Sequence, residues 1–535
     1  MVTPPGGAPP VAPESRSLTI RAEEMALFAS ATGDVNPLHL SDDHARRSAY
    51  GQRVVYGVLG ALAALGRSGV VPGRLSSAHL EFRQAMFLDV EYRVEITRRQ
   101  DDRTTLKVLD GDRVLQVVDL RHDVGPQEAG PEVAVRPAEA GTGSGSEVEA
   151  SSPSRTEAVV LDSSDLHQGR TARGRWAHEH GSLVRLLTTL GLSGAVPDEQ
   201  AAVLGAMSYL VGMELPGQRA LFWQARVRFP LPGAGGEPSA TSPWSYETTV
   251  TGFDARVHVV TTDATVVDAA GRVVAEAELQ AFVRQPPVVS DVSQLRALAP
   301  AGSLLGLRAV VIGGSRGLGA ALTQLLALGG ADVVLTYARS SEAAGLVRDE
   351  LGDDGAKVRL VQADAGTSEG CAELGRQVTE RLGGIDLLVC NASPAIRALP
   401  FTPGSADRIA AFVDESLRLV TGPLAAFALG LGASSGTAVL VSSTAVEDPP
   451  TDWPHYVAAK HAAEGLFAWA AARHRKVRFV VVRPAKLLTD QMNTPMGRIG
   501  ALPVERAAAA IVAHVTRVLD DAEPGGARPV ELLRL

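Results

Sequence analysis

Two kinds of apolar pattern divide the chain. Beyond about residue 303, short continuous apolar runs alternate with stretches of helical character: "LRAVVIGG", "ADVVLTYA", "VRLVQADA", "IDLLVCNAS", "GTAVLVSST" and "RFVVVRPA", with helices such as "GLGAALTQLLALGG" between them. Runs apolar on both faces and separated by helices predict a doubly wound parallel α/β sheet, with ligands at the carboxyl ends of its strands. Before residue 285 the pattern differs. "VEYRVEITRR" and "ARVHVVTTDATVVDAAGRVVAEAELQAFVR" alternate or run β-branched between Asp/Gly turns, as antiparallel strands do. Helices of small apolar residues precede these strands, which predicts an α+β layer with a helix on one face of the sheet.

The amino-terminal region reads as two diverged copies. "YGVLGALAALGRSGVVPGRLSSAHLEFR" and "AAVLGAMSYLVGMELPGQRALFWQARVRF" share helix, Pro-Gly turn and strand, the second Pro-Gly lying 144 residues after the first. "GPQEAGPEVAVRPAEAGTGSGSEVEASSPSRTE" between them has the composition of a disordered linker. The expected blocks are therefore 15–124, a linker 125–157, 158–285 and 303–535, after a Pro/Gly-rich disordered leader with no signal-peptide pattern.

Composition narrows the function classes. The 535 residues carry a net charge of −9, which argues against a nucleic-acid footprint or a basic membrane patch. The most apolar run, "PLAAFALGLGASSGTAVLVSSTAV", is interrupted by Gly and Ser and reads as helix, turn and strand rather than a membrane span. A cytoplasmic protein is expected. Cys371 and Cys390 lack metal-site or disulfide-framework spacing and are expected to pack as small apolar groups.

The carboxy-terminal block carries two chemical signatures. In "IGGSRGLG", Gly313, Ser315, Arg316, Gly317, Leu318 and Gly319 lie between a strand and a helix, where glycines let the backbone approach a pyrophosphate at the helix amino terminus. In "YVAAK", Tyr456 and Lys460 share one helix face, and Ser443 lies thirteen residues before the Tyr at a strand end. A free phenol has a pKa of about 10. A neighbouring Lys⁺ is expected to lower it toward an acid-base role.

These residues resemble the short-chain dehydrogenase/reductases, especially the 3-ketoacyl thioester reductases, over essentially the whole block. The resemblance implies that Tyr456 protonates the carbonyl, Ser443 orients it, and Lys460 holds the nicotinamide ribose. It also places Asp364 of "QADA" at the adenine, Asn391 of "CNAS" at the family's Asn-Ala-Gly turn, and Thr489 at the carboxamide. Three departures stand out. Ile312 replaces the usual Thr, Ala485 replaces the Gly of a Pro-Gly step, and Glu415 or Ser416 stands where a helix Asn usually supports a proton-relay water. The second strand ends "LTYARSS", with Arg339 and no acid for a ribose 2′-hydroxyl. With Arg316 in the glycine loop, two guanidiniums suit a 2′-phosphate and point to NADPH.

Near the amino terminus, "TGDVNPLHL" sets Asp34 and His39 on a turn stiffened by Asn36 and Pro37. "FASATGDVNPLHLSDDHARRSAYGQRVVYGVLGALAALG" resembles the MaoC-like (R)-specific hydratases and dehydratases, which have the hot-dog fold. Eliminating water from a 3-hydroxyacyl thioester needs a base at C2 and an acid at the departing hydroxyl. His39 is read as the base, Asp34 as the group handling hydroxyl or water, with the two roles exchangeable. The amide of Gly57 is read as stabilising the enolate-like oxygen. Tyr56 departs from the family's usual His and is expected to reshape the thioester entrance. The second copy has no such pair. Its His178 and His180 lack a third ligand, so no metal is expected, and Met207, Tyr209 and Met213 read as helix packing.

The fold expected is thus an α+β double hot-dog followed by an α/β doubly wound (Rossmann) parallel sheet. The function expected is a bifunctional 3-ketoacyl thioester reductase and 3-hydroxyacyl thioester dehydratase of fatty-acid or polyketide-type biosynthesis. Its substrate rides on an acyl carrier protein or coenzyme A, and the family habit implies a homodimer or homotetramer. Two alternatives remain open at this point: a hydratase joined to a 3-hydroxyacyl dehydrogenase in acyl-CoA breakdown, where known fusions favour NAD, and an acyl-binding protein with a degenerate reductase.

Overall fold

The computed structural model describes residues 15–100, 102–122, 155–230, 243–300, 302–520 and 529–535. The leader and all but the last residues of the expected linker lie outside the described residues. The chain forms two compact units, one of Met1–Ser41 with Arg53–Arg284 and one of Asp42–Gln52 with Gln285–Leu535. Apart from Asp42–Gln52, the two repeated blocks therefore share a single unit.

In the first unit the order is β1 (Ser15–Leu18), α1 (Ala22–Thr32), α2 (Gly57–Ser68), β2 (Leu75–Phe82), β3 (Tyr92–Gln100), β4 (Arg103–Asp110) and β5 (Arg113–His122). The second half follows with β6 (Thr171–Trp176), α3 (His180–Leu190), α4 (Asp198–Tyr209), β7 (Ala220–Arg228), β8 (Trp244–Asp254), β9 (Val259–Val267) and β10 (Val273–Val283). All ten strands make one antiparallel sheet in the order β1-β3-β4-β5-β2-β7-β10-β9-β8-β6. Read from its outer edge, each half has the same order: first, third, fourth, fifth, second strand. The halves meet at β2 and β7, where Ala78 pairs with Val227 and Leu80 with Ala225. The repeat seen in the sequence is thus a repeat of topology.

Local chemistry explains these elements. Strand β10 alternates buried and exposed positions because one sheet face packs on helices. α1 stops at Gly33, whose φ of +71° suits a left-handed cap, and its amide returns to the Ala29 carbonyl at 2.8 Å. The small residues of α2 let helices approach closely: a Cβ at Gly66 would lie 1.9 Å from the Leu190 carbonyl oxygen.

The second unit runs β11 (Arg308–Ile312), α5 (Gly317–Leu328), β12 (Asp332–Tyr337), α6 (Ser341–Asp349), β13 (Val358–Gln362), α7 (Ser368–Leu382) and β14 (Leu387–Cys390). α8 (Ala406–Ser434), β15 (Thr437–Val441), α9 (Pro454–Arg473), β16 (Arg478–Arg483), α10 (Val504–Asp520) and β17 (Glu531–Arg534) complete it. The seven strands are parallel, in the order β13-β12-β11-β14-β15-β16-β17. Ala309 and Val311 of β11 pack into one core with α5 and α10, while Val310 and Ile312 pack into another with α7, α8 and α9. Burial on both faces is why these strands read as continuous apolar runs. The helix spanning Pro403–Ser434 is long and apolar enough by composition to cross a membrane. Its Val420, Leu424, Phe427 and Leu431 are buried in the second of these cores. The apolar run that contains its end divides as expected, into the end of α8, a turn and β15. Cys371 and Cys390 are both buried and unbridged.

Candidate active sites

In the second unit, every residue singled out in the sequence lies at or just beyond the carboxyl end of a strand, or on the helix that packs there. Gly313 follows β11 with a φ of +75°, and a Cβ there would lie 2.9 Å from Ala392. Gly317 opens α5, also at positive φ (+53°), and a Cβ there would lie 3.3 Å from Thr489. A Cβ at Gly319 would meet the Gly313 carbonyl oxygen at 2.1 Å, so only glycine permits this approach of loop and helix. Asn391, beyond β14, pins the loop by donating from Nδ2 to the Gly313 carbonyl at 2.9 Å. No side chain caps the start of α5, so its first amides face outward, which is the arrangement that receives a phosphate. This glycine cradle fits a dinucleotide pyrophosphate.

Asp364 follows β13 and folds its carboxylate onto the Gly366 amide at 3.0 Å. Arg339 stands exposed just beyond β12, in the position the sequence suggested. The Arg316 guanidinium is exposed and donates to the Arg46 carbonyl of the same compact unit.

Tyr456 and Lys460 project from α9, and Ser443 starts the turn after β15, its Oγ accepting from the Ala445 amide at 3.1 Å. Tyr456 and Lys460 line a small pocket with Cys390, Ser393 and Ser416. Lys460 Nζ donates to the Val441 carbonyl at 2.8 Å and lies 5.4 Å from the Tyr456 ring centre. The lowering of Tyr456 expected from Lys460 is not what the structure shows. Burial raises the Tyr456 phenol, with a hydrogen bond to Ser443 opposing it, while burial lowers Lys460 itself to about 8. A lysine this deeply enclosed loses charge stability of its own. At neutral pH Tyr456 is a protonated phenol, suited to donate. Of Glu415 and Ser416, the two residues read at the family's Asn position, Ser416 lines this pocket, and its Oγ is buried without a hydrogen-bond partner among the described residues.

In the first unit the Asp34–His39 turn is held from several sides. Asn36 caps the one-turn helix Pro37–Leu40 by accepting the Leu38 amide at 3.1 Å. Asp34 is buried; its Oδ1 accepts the Asn36 amide at 3.1 Å and its Oδ2 the Ser208 hydroxyl at 2.7 Å. Burial nevertheless raises Asp34 to about 7, against both hydrogen bonds. His39 Nδ1 lies 2.7 Å from the Val54 carbonyl, which can only accept. Nδ1 therefore carries the proton and Nε2 presents a lone pair. Burial lowers His39 to about 4, and the Arg284 charge adds to this. Between these values the carboxyl is protonated and the imidazole neutral: one proton donor and one base on a single turn. Gly57 is the first residue of α2, so its amide has no acceptor within the helix, and a Cβ there would lie 2.9 Å from the Phe82 ring.

Two residues gain roles that the sequence did not disclose. Tyr56, expected to shape the entrance, is instead fully buried. It stacks on His39 with ring centres 3.9 Å apart and donates to the Asp34 carbonyl at 2.6 Å. Ser208 comes from α4, so the second half supplies a partner to Asp34. The signal available was the 144-residue offset, which sets α4 as the counterpart of α2. Met207, Tyr209 and Met213 are buried packing residues as read, although the Tyr209 hydroxyl also bonds the Glu214 carboxylate. His178 packs beside the Trp176–Trp244 pair, 5.8 Å from each between ring centres.

The hydrogen bond from Ser208 stabilises the ionised Asp34. Ser208→Ala should therefore raise the Asp34 pKa, and the alkaline limb of the pH profile of the reaction it serves should move upward from about 7. An unmoved limb would show that Asp34 does not set it.

The chain's similarity to known proteins agrees with this division. The model of the family described as short chain dehydrogenase matches residues 308–496. A second family model, described as MaoC like domain, matches residues 5–116. The short-chain dehydrogenase/reductase FrzI of Cladobotryum sp is 36% identical over 198 residues, covering 36% of this chain and 75% of that protein. The chain belongs to the short-chain dehydrogenase/reductases. Its reductase domain is joined to a MaoC-like domain at the amino terminus. An uncharacterized oxidoreductase of Escherichia coli, YohF, is 30% identical, covering 34% of this chain and 73% of its own. A versicolorin reductase of Emericella nidulans is 37% identical over 106 residues, 19% of this chain and 40% of that protein. Among solved structures, a Burkholderia cenocepacia short chain dehydrogenase in complex with NADP is 30% identical, covers 44% of this chain and 97% of its own, and has a TM-score of 0.38.

Proposed function

We propose that the protein is a bifunctional enzyme that reduces a 3-ketoacyl thioester with NADPH and dehydrates the product to a trans-2-enoyl thioester. The observation that carries this reading is the coexistence, in one chain, of two acid-base arrangements. Tyr456, Ser443 and Lys460 serve the first step, and Asp34, His39 and Gly57 the second. The (R)-3-hydroxyacyl thioester leaving the first reaction is the substrate of the second.

NADPH, when bound, supplies the hydride to C3. The glycine loop from Gly313 to Gly319, including Ser315 and Leu318, would hold its pyrophosphate, with Asp364 at the adenine, Asn391 supporting the loop, and Lys460 and Thr489 at the nicotinamide side. Tyr456 gives its proton to the carbonyl oxygen while Ser443 orients it. In the second step His39 Nε2 removes the C2 proton and protonated Asp34 delivers a proton to the departing hydroxyl, which leaves as water. The Gly57 amide, at the positive end of α2, stabilises the enolate-like oxygen of the thioester. We read the first unit as a double hot-dog, with the first half catalytic and the second supporting it. The substrate is carried by acyl carrier protein or coenzyme A in the cytoplasm. A homodimer or homotetramer is supported by Leu429 and Trp469, which lie exposed on the long helices α8 and α9.

Arg339 also separates this reading from acyl-CoA breakdown with NAD. A clear preference for NADPH is expected, and Arg339→Asp should erase or reverse it by removing the cation and adding an anion where a 2′-phosphate would sit. The check is kcat/KM with each cofactor for both proteins. Equal turnover of the wild type with NADH would contradict the assignment.

A further inference from the structure

Glu214 is a carboxylate buried in the first unit that takes no part in the reactions above; only 2% of it is exposed. Its Oε1 collects the Tyr246 hydroxyl at 2.6 Å, Arg155 Nε at 2.7 Å and the Tyr209 hydroxyl at 3.3 Å. The Arg155 amide closes the cluster by donating to the Tyr209 oxygen at 2.8 Å. A buried carboxylate requires such donors to offset the loss of water, and a fully connected network holds its surroundings in one arrangement.

What surrounds Glu214 is the wall against which the Asp34–His39 turn rests. Glu214 ends a π-helical turn, Leu210–Glu214, that continues α4 beyond Ser208. Single π-turns of this kind recur at functional sites. Gly212, in the middle of this turn, faces Asp34 so closely that a Cβ would lie 2.8 Å from Asp34 Oδ1. Asn36 Nδ2 is within reach of the carbonyls of Gly212 (3.0 Å), Gly217 (3.3 Å) and Gln218 (3.2 Å), which lie on both sides of Glu214. The strand-like segment after Arg155 straps the same turn: the Val159 amide donates to the Met213 carbonyl at 3.0 Å, and the Gln218 amide to the Val159 carbonyl at 2.8 Å. One carboxylate thus ties together the π-turn, the strap and the turn that Asn36 grips.

We propose that Glu214, held by Tyr246, Tyr209 and Arg155, is a positioning residue for the dehydratase chemistry, fixing the second half's π-turn against Asp34 and Asn36. This rests on the assignment of Asp34 and His39 as the catalytic pair. Loosening the π-turn moves Ser208 and Gly212 away from Asp34 without removing any group that touches substrate. Misplacement of catalytic groups by about 1 Å can cost about 100-fold in rate, so the effect should fall on kcat.

The test uses the full chain and hydration of a short trans-2-enoyl coenzyme A thioester, with Glu214→Ala, Glu214→Gln, Tyr246→Phe and His39→Ala beside wild type. Glu214→Ala should lower kcat by about 10- to 100-fold with KM within about twofold. Tyr246→Phe should lower kcat by a smaller factor, and Glu214→Gln, which keeps an acceptor oxygen, should recover most of the loss. The alkaline limb should move upward in Glu214→Ala, because Asp34 loses hydrogen bonds to its ionised form. If Glu214→Ala does not fold, Tyr246→Phe decides, since it deletes one hydroxyl. Folded variants with wild-type kcat and only a lower melting temperature would overturn the proposal. If the wild type has no hydratase activity, or His39→Ala retains it, the dehydratase assignment fails instead.

Discussion

Tyr456→Phe is expected to abolish NADPH-dependent reduction of a 3-ketoacyl thioester while dehydration of supplied 3-hydroxyacyl thioester continues at the wild-type rate. In the proposed reaction the phenol, lining the pocket between α8 and α9, is the proton donor, and burial keeps it protonated at neutral pH. Removing its oxygen leaves Ser443 and Lys460 in place but gives the forming alkoxide no proton. A positioned general acid contributes about 10²–10⁴-fold, so reduction should fall by at least the lower figure. The wild-type rate should also fall as pH rises through about 8, where Lys460 loses its charge. Dehydration is read from residues of the other compact unit and should not respond. The check is parallel assay of both half-reactions on one preparation; loss of both would mean the two units do not catalyse independently.

The second large effect concerns the Asp34–His39 turn. His39→Ala or Asp34→Asn should stop dehydration, so that ketoacyl substrate and NADPH accumulate the 3-hydroxyacyl thioester. Each group contributes about 10²–10⁴-fold, and because both act in one elimination the double variant should be little worse than either single one. Asp34→Asn is the gentler change, since its amide oxygen can still accept from the Asn36 amide while its NH2 meets the Ser208 hydroxyl, which can turn to accept. His178→Ala and His180→Ala should change activity little, because no acid accompanies them at the required spacing. Product analysis of these variants beside wild type is the measurement. A His39 variant that still forms enoyl thioester at the wild-type rate would make the turn structural and the first unit an acyl-holding domain.

What could be read from the sequence was what short-range pattern encodes. The run "AVVI" of β11 is apolar throughout because the sheet is covered on both faces, and so the parallel sheet was plain. Tyr456 and Lys460 are one helical turn apart, and Asp34 and His39 share one stiff turn, so both pairs were visible as spacing. The repeat was visible because Pro-Gly turns punctuate each copy. Interactions that depend on how the copies meet were not. Ser208 lies 174 residues from Asp34, and Glu214 reaches Arg155, Tyr209 and Tyr246 only through the folded sheet. Environment was equally hidden. Spacing suggested that Lys460 lowers the Tyr456 pKa, but enclosure of both residues raises the phenol and lowers the amine. The contact of Arg316 with the Arg46 carbonyl, 270 residues away in sequence, was hidden in the same way.

The most direct measurement is incubation of the purified full chain with NADPH and a short 3-ketoacyl thioester, with 3-hydroxyacyl and 2-enoyl products quantified against NADPH consumed. The bifunctional reading predicts that both products form and that their sum equals the NADPH oxidised, with the enoyl product appearing after the hydroxyacyl one. NADPH oxidation that yields hydroxyacyl thioester alone, or no oxidation with any short 3-ketoacyl thioester, would contradict it.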